Sequence, residues 1–514
     1  MKKIGIGIDF GTTNSLAAAW GSDVIRVLDN QGEKLRPRVF WHEDEISGNR
    51  PHPSVVWLKP DDSFVVGYEA RRNMQALTGA LGHQFVRSVK RSLTSKAEWI
   101  HGGRRLMPYE IAAEIFKHLK QSSEADPMLL GHQFDSCVVT VPVGFTGTQR
   151  REIRRAMEKA GIRLQGFVHE PFAAMVAHFY RPDKKLSALR GKRVLVFDWG
   201  GGTLDICLVE GSQDGASLYE LAHDGIADRA GDDFDRRIMA ELREGFLSRH
   251  PVLTNDDIDS RCRAQDRFWL NSERAKIELS SNESVHVRVP NFLDGNPPLD
   301  LGEVINRTKF EELIDQEVKA AEACTRRCLE KAKLNPSAVD YVLMVGGTSL
   351  IPRVRRQLEE IFGAKVQVTD EPDAAIARGA AIVAAEEWKP VNSVTLGCEM
   401  ARGEFFTLLK RGEPLEASTS KRFVFYCTDP RDGCANFIFA RKNEDTDGTV
   451  SPTGEIMQLP IATERPTALR DIDRIIVRSS VTEDATLLID AQHTGLGHTA
   501  QHEIADISFG LNLQ

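Results

Sequence analysis

Cysteine is scarce in this chain: eight residues among 514, scattered and without a CxxC pair. That favours a reducing cytoplasm over a disulfide framework. Long apolar runs are missing as well. No stretch approaches the ~20 residues that span a bilayer. The opening run is broken by glycines and ends in Asp9-Phe10-Gly11, so it has neither the h-region nor the cleavage site of a signal peptide. Positive charge is in deficit: 66 Lys+Arg against 74 Asp+Glu give a net charge of −8. A protein whose main partner is the nucleic-acid backbone needs clustered cations, so nucleic acid is not an expected partner. No segment is of low complexity. What remains reads as a soluble, globular cytoplasmic chain, 41% hydrophobic and 27% charged, with no membrane partner. Its length suggests three or four domains at roughly 150 residues each.

Up to about residue 388, strand and helix signals alternate. Cys137-Val138-Val139-Thr140-Val141, Arg193-Val194-Leu195-Val196-Phe197 and Tyr341-Val342-Leu343-Met344-Val345 are near-continuous apolar runs, as buried central strands require. Thr148 is a candidate cap for a helix whose apolar face is Ile153, Ala156, Met157 and Ala160, with Gly161 at its end. A longer helix is expected to place Phe310, Leu313, Ile314, Val318, Ala321, Cys324 and Cys328 on one face. Those two cysteines have metal-compatible spacing, but on an apolar face they read as core. After Pro390 the helical period disappears. Short β-rich runs at 405–409, 422–427, 435–440, 475–478 and 485–489 follow, separated by turns such as Asp429-Pro430-Arg431-Asp432-Gly433. The expected organisation is an α/β domain over 1–388, a linker at 389–393 and a small all-β domain over 394–514.

A distant internal echo points to a ligand. One apolar strand ends in Asp9-Phe10-Gly11-Thr12-Thr13, and another ends in Asp198-Trp199-Gly200-Gly201-Gly202-Thr203. Glycine turns after strands let backbone N–H groups approach phosphate oxygens, threonine hydroxyls add donors, and a strand-end Asp can orient the waters of Mg²⁺. A single Asp-x-Gly-Thr is more often an ordinary turn. Two copies, each directly after an apolar strand, suggest a duplicated α/β unit clamping a polyphosphate from both sides. A third turn, Val345-Gly346-Gly347-Thr348, also follows a strand and offers a flat backbone surface to a nucleoside. All three loops fall at the carboxyl ends of strands, where open α/β sheets bind ligands.

These motifs continue in order: Val141-Pro142 with Gln149-Arg150, His169-Glu170-Pro171, Gly231-Asp232-Asp233-Phe234-Asp235, Ser272-Glu273-Arg274-Ala275-Lys276 and Glu371-Pro372-Asp373-Ala374-Ala375. The set, spanning residues 4–388, resembles the 70-kilodalton heat-shock chaperones (the DnaK type) of the actin–hexokinase–chaperone ATPase superfamily. Residues 394–514 are more weakly similar to that family's β-sandwich, best at Val394-Thr395-Leu396-Gly397. The resemblance implies a two-lobed actin-like ATPase domain of duplicated ribonuclease H-like subdomains, followed by a small all-β domain. It implies ATP/ADP, Mg²⁺ and K⁺ as cofactors, slow ATP hydrolysis, and a role in protein folding and the stress response. Lys90 falls where the family has its catalytic lysine; by itself a lysine in Arg87-Ser88-Val89-Lys90-Arg91 reads as a solvated charge. Asp9, Glu170 and Asp198 would position Mg²⁺, largely through water, and Thr203 and Asp205 the attacking water. Gly11, Thr12, Thr13, Gly200, Gly201 and Gly202 would hold phosphates. Gly231, Glu273, Lys276, Ser280, Gly346, Gly347 and Asp373 would hold the rest of the nucleotide. Pro142 and Arg150 match the family's interdomain relay. Implied partners are unfolded peptide or a dedicated protein client, and a nucleotide exchange factor.

The chain also departs from the pattern. The linker Glu386-Glu387-Trp388-Lys389-Pro390-Val391-Asn392 lacks the family's acidic-ended leucine run. Gly166, His169 and Phe172 stand where the surface for J-domain co-chaperones has arginine, asparagine and threonine. The resemblance stops short of the α-helical lid, so the expectation is a lidless, divergent member. The alternative is a nucleotide-switched partner-binding protein with little or no hydrolysis. Arg150, Arg151, Arg154 and Arg155 form a basic helix face, read as solvated rather than nucleic-acid binding.

Overall fold

The computed structural model describes the chain apart from residues 1–3, 22–25, 29–34, 45–47, 78–81, 130–133, 183–184, 228, 263, 370, 418, 428–432, 443–448 and 462–473. The turn expected at 429–433 therefore lies almost wholly outside the described residues.

Two sheets of like topology carry the first three quarters of the chain. In one lobe the strand order is Arg163–His169, Ser136–Val141, Gly5–Phe10, Asn14–Trp20, Leu35–Phe40, Arg26–Leu28. In the other it begins Val366–Val368, Tyr341–Val345, Arg193–Trp199, Thr203–Gly211, Ser217–Ala227. In each lobe the Asp-bearing central strand runs parallel to one neighbour and antiparallel to the other. The echo in sequence is thus a duplication in space. The central strands are buried along nearly their whole length because both faces are covered, which is why they read as continuous apolar runs.

Helices Glu170–Phe179 and Pro372–Glu386 cross at the interface of the lobes. A Cβ on Gly379 would lie 1.8 Å from the Ala173 carbonyl oxygen, and one on Gly7 2.2 Å from the Ala381 nitrogen. These glycines let backbone meet backbone, closer than any side chain allows. The helix expected behind Thr148 starts earlier: Thr146 caps Gly147–Lys159 and exchanges hydrogen bonds with Gln149. That reciprocal capping box outcompetes a cap two residues on. The long helix expected around 310–328 is two, Arg307–Leu313 and Asp315–Lys331, broken at Ile314, yet Phe310, Ile314, Val318, Ala321, Cys324 and Cys328 are all buried in one core.

Beyond residue 394 two four-stranded antiparallel sheets pack as a sandwich. One holds Phe405–Leu409, Thr395–Glu399, Cys434–Lys442 and Val450–Pro460; the other holds Ser420–Tyr426, Arg474–Val481, Leu487–His493 and Thr499–Ile504. Three of these eight, at 395–399, 450–460 and 499–504, have too little apolar alternation to be read from sequence.

The connection expected at 389–393 is not a free linker. Lys389–Asn392 is a strand, and it pairs with Phe509–Asn512, which in turn pairs with Ser217–Ala227. The second lobe's sheet therefore ends in two strands drawn from outside 1–388. No helix among the described residues is long and apolar enough to cross a membrane.

Candidate functional site

The two phosphate-type loops face each other across a cavity of about 310 Å³ between the lobes. A Cβ on Gly201 would lie 2.5 Å from the Thr13 hydroxyl, and one on Gly202 2.9 Å from the Thr12 methyl. Glycine is therefore needed in the second loop for the first to approach it. Thr13 Oγ1 lies 3.5 Å from Asp232 Oδ1, which fixes the first loop to the helix Gly231–Arg249, and Arg91 donates to the Gly202 carbonyl, which fixes the second loop to the segment carrying Lys90. Gly346 closes the third loop at φ 79, where its absent Cβ would be 2.5 Å from the Trp199 carbonyl oxygen. Thr348 donates to the Gly200 carbonyl at 2.8 Å, joining the third loop to the second.

Asp9, Glu170 and Asp198 line the floor of the cavity. Asp9 ends one central strand and Asp198 its counterpart, while Glu170 begins the interfacial helix. Burial, then the nearby Glu170, pushes the Asp9 carboxyl up to about 7; Thr140, which donates to it at 3.4 Å, pulls the other way. The same two causes push Asp198 well above the carboxylate range. Lys90 is not a solvated charge. It sits in the 3₁₀ turn Val89–Ser92, is 5% exposed, and its Nζ donates to Glu170 Oε1 at 2.6 Å. Burial alone would lower its pKa, but Glu170, Asp9 and Asp205 outweigh that and raise it. Ser88, just before the turn, adopts φ 54, a left-handed conformation that non-glycine residues rarely take and that marks stored strain beside Lys90.

Thr203 lines the cavity and donates to Asp205 Oδ2 at 2.8 Å. Asp205 lies one layer behind, its carboxyl pushed up to about 6 by burial and by Glu170. At the far end Glu273, Lys276 and Ser280 line the wall from one helix, with Gly347 and Asp373 opposite. Gly231 is behind this wall, where its carbonyl accepts from Lys276 Nζ at 2.9 Å. Lys276 also pairs with Asp235 at 2.8 Å. Ile277 and Leu350 present exposed apolar side chains to the cavity. Glu273 is paired with Arg71, and Arg71 and Arg87 lie over the Trp269 ring at 5.2 and 5.4 Å. Sequence reasoning assigned no role to Thr140, Asp232, Thr348 or Arg91. Arg91, Asp232 and Thr348 could have been found from their places inside quoted motifs; Thr140, inside an apolar strand, carries no local signal.

Pro142 and Arg150 lie away from the cavity. Arg150 is buried and donates to four carbonyl oxygens: Phe145 at 2.5 Å, Asp484 at 2.7 Å, Ala505 at 3.1 Å and Ala485 at 3.2 Å. Arg151 and Arg154 both reach the Asp484 carboxylate, at 3.0 and 2.8 Å. Three arginines of the basic helix face are thus spent on the β region, while Arg155 pairs with Glu152 and lies over the Tyr109 ring. His169 and Phe172, expected at an exposed co-chaperone surface, are each only 1% exposed.

A floor of buried acids, one buried lysine, and glycine loops from a duplicated fold have the charges and backbone donors that suit a polyphosphate. Among the described residues no three donors converge closely enough to ligate a metal directly. A cation that keeps its waters suits this floor, because it would hold Asp9 and Asp198 ionised where burial disfavours it. The family model for the Hsp70 protein matches residues 5–429. Curated relatives include the chaperone protein DnaK of Thermotoga petrophila and that of Thermotoga maritima, each 32% identical over 439 residues, covering 82% of this chain and 68% of the relative. By fold, by site and by this similarity, the chain belongs to the Hsp70 family.

Proposed function

We infer that the chain is an ATP-dependent chaperone of the DnaK kind, an ATPase that binds unfolded client peptide, and we propose how its residues divide the work. Family membership carries the activity. The observation that supports the assignment of roles is the buried Lys90–Glu170 pair facing two phosphate loops. Phosphoryl transfer needs little covalent help from protein; positioning and charge stabilisation do most of it. Lys90 meets charge building on the terminal phosphoryl group. The loops at 11–13 and 200–202 hold phosphate oxygens, and Glu273, Lys276, Ser280, Gly346, Gly347 and Asp373 enclose the nucleoside end. Asp9, Glu170 and Asp198 would hold hydrated Mg²⁺, which when bound neutralises phosphate charge. Thr203 orients the attacking water. Asp205, with its carboxyl near 6, is mostly ionised at neutral pH and basic enough to take that water's proton.

For the β region, support comes from an aromatic cluster at its incompletely buried edge. Phe406 lies 5.1 Å from Phe423 and 4.8 Å from Phe425, ring to ring across the two sheets. Phe406 and Phe423 are only partly buried, an apolar contact available to an extended peptide. We assign the ATPase unit to residues 1–388, completed by the strands at 389–392 and 509–512, with the β region between. Pro142 and Arg150 relay between them. A nucleotide exchange factor and a K⁺ requirement belong to this reading, as does a cytoplasmic role in stress, for which the eight free thiols are the support. Cell fractionation tests the location, and turnover in potassium against sodium tests the ion.

The deciding experiment is single-turnover ATP hydrolysis with Mg²⁺ and no added substrate. Free phosphate whose release Lys90→Ala or Thr203→Val slows at least about tenfold, a cost of ~1.4 kcal/mol, is the expected result. Unchanged rates in both variants would remove the role assignments. ATP that binds and stays uncleaved would favour a nucleotide-switched binder.

A further inference from the structure

The strand Phe509–Asn512 is in an unusual position for a segment that follows the β sandwich. It leaves the sandwich after Thr499–Ile504 and enters the ATPase sheet between Ser217–Ala227 and the linker strand Lys389–Asn392. Its register is set on both sides: Leu218 faces Leu511 on one, Pro390 faces Leu511 and Val391 faces Gly510 on the other. The linker strand's other edge bonds to the β region, through Leu415 N to the Pro390 carbonyl and Asn392 N to the Glu413 carbonyl, each at 2.9 Å. The backbone order is therefore ATPase strand, 509–512, linker, β region. Among the described residues, the linker reaches the ATPase sheet's hydrogen-bond ladder through 509–512.

The apolar contacts follow the same division. In the linker strand Val391 is the one fully buried apolar side chain; its neighbours are Lys389, Pro390 and Asn392. The inserted strand buries Phe509, Leu511 and Leu513. Leu511 and Leu513 join the ATPase core with Leu218 and Trp388. Phe509 stacks on His169 with centroids 3.7 Å apart and lies 5.5 Å from the Arg150 guanidinium. Burying three such side chains removes far more apolar surface from water than Val391 does alone. Gly510 is fitted to the slot, since a Cβ there would lie 2.0 Å from the Leu218 carbonyl oxygen.

We propose that the space between strands Ser217–Ala227 and Lys389–Asn392 is a strand-binding slot whose occupant is this chain's own residues 509–513, and that this occupant, not the linker, fastens the β region to the ATPase unit. Domain separation then requires the strand to withdraw. Withdrawal uncovers the His169 ring, and it frees two unpaired strand edges together. The proposal does not depend on hydrolysis, and its test reads protection rather than activity.

Hydrogen–deuterium exchange of the full chain is compared with Gly510→Ala and with a chain ending at Ser508. The expected result is that the amides of Lys389, Val391 and Leu218, which face the inserted strand, exchange at least about tenfold faster in both variants, while Gly5–Phe10 stays protected. A peptide of residues 505–514, added to the shortened chain, restores protection at Lys389 and Val391 saturably. If Lys389, Val391 and Leu218 stay protected in both variants, the linker holds itself and the proposal fails. It fails equally if protection is lost through Gly5–Phe10 and the peptide does not restore it, because the strand is then inseparable from the lobe's folding.

Discussion

Replacing Asp9 by asparagine separates two consequences of burying an acid. Its folded pKa is raised to about 7, so between about 4 and 7 the folded protein holds a proton that the unfolded chain has released. Stability from this group is therefore lost as pH rises through that window. Burial lowers the pKa of His52, His118 and His169, and these act in the opposite sense. The measurable quantity is the difference: without nucleotide, Asp9→Asn should gain melting temperature relative to the parent at pH 7.5 and lose that gain at pH 5. An equal difference at both pH values would mean that Asp9 is not protonated in the free protein. Gly346→Ala is the second test at this scale. At φ 79, with a carbonyl oxygen 2.5 Å from the added Cβ, alanine must distort the third loop, and nucleotide affinity should fall at least about tenfold by calorimetry. Gly346 was legible because it sits in a motif. The burial of Lys90 was not, because its five-residue context is basic and its partner Glu170 lies 80 positions away.

At the scale of elements, the crossing of Glu170–Phe179 with Pro372–Glu386 depends on Gly379. Alanine there would place its Cβ 1.8 Å from the Ala173 carbonyl oxygen, so the helices must part. Overpacking of this kind costs about 1–3 kcal/mol, which urea denaturation should report as a lower midpoint. The same helices carry Glu170 and Asp373, so nucleotide affinity should fall with stability. Elements were legible where period and length agreed, as in 193–199 and 341–345. Boundaries were not where a cap decided them: Thr146 with Gln149 begins its helix two residues before Thr148, because the reciprocal bonds satisfy backbone donors that Thr148 cannot reach.

For the molecule as a whole, Asp484 is the electrostatic hinge pin. It is 2% exposed and receives Arg151 and Arg154 together. Asp484→Ala leaves two arginines facing a vacated acid. Its cost should fall between the ~1 kcal/mol of an exposed pair and the ~3–5 kcal/mol of a buried one. The expected readouts are a larger radius of gyration by small-angle scattering and faster proteolysis of the β region, with the ATPase core still folded. An unchanged radius would show that the buried Arg150 bonds and the inserted strand suffice. The sequence by itself determined the duplicated lobes, the three glycine loops, their acids and threonines, and the change to β structure after residue 390. All of these are written in contiguous residues, since a strand, its turn and the loop's donors are neighbours along the chain. Only the tertiary structure decided that Lys90 is buried, that Arg150, Arg151 and Arg154 bind the β region, and that residues 509–512 leave the sandwich for the ATPase sheet. A strand's partner depends on which edge is free and which apolar surface needs cover, and both are set by residues hundreds of positions away.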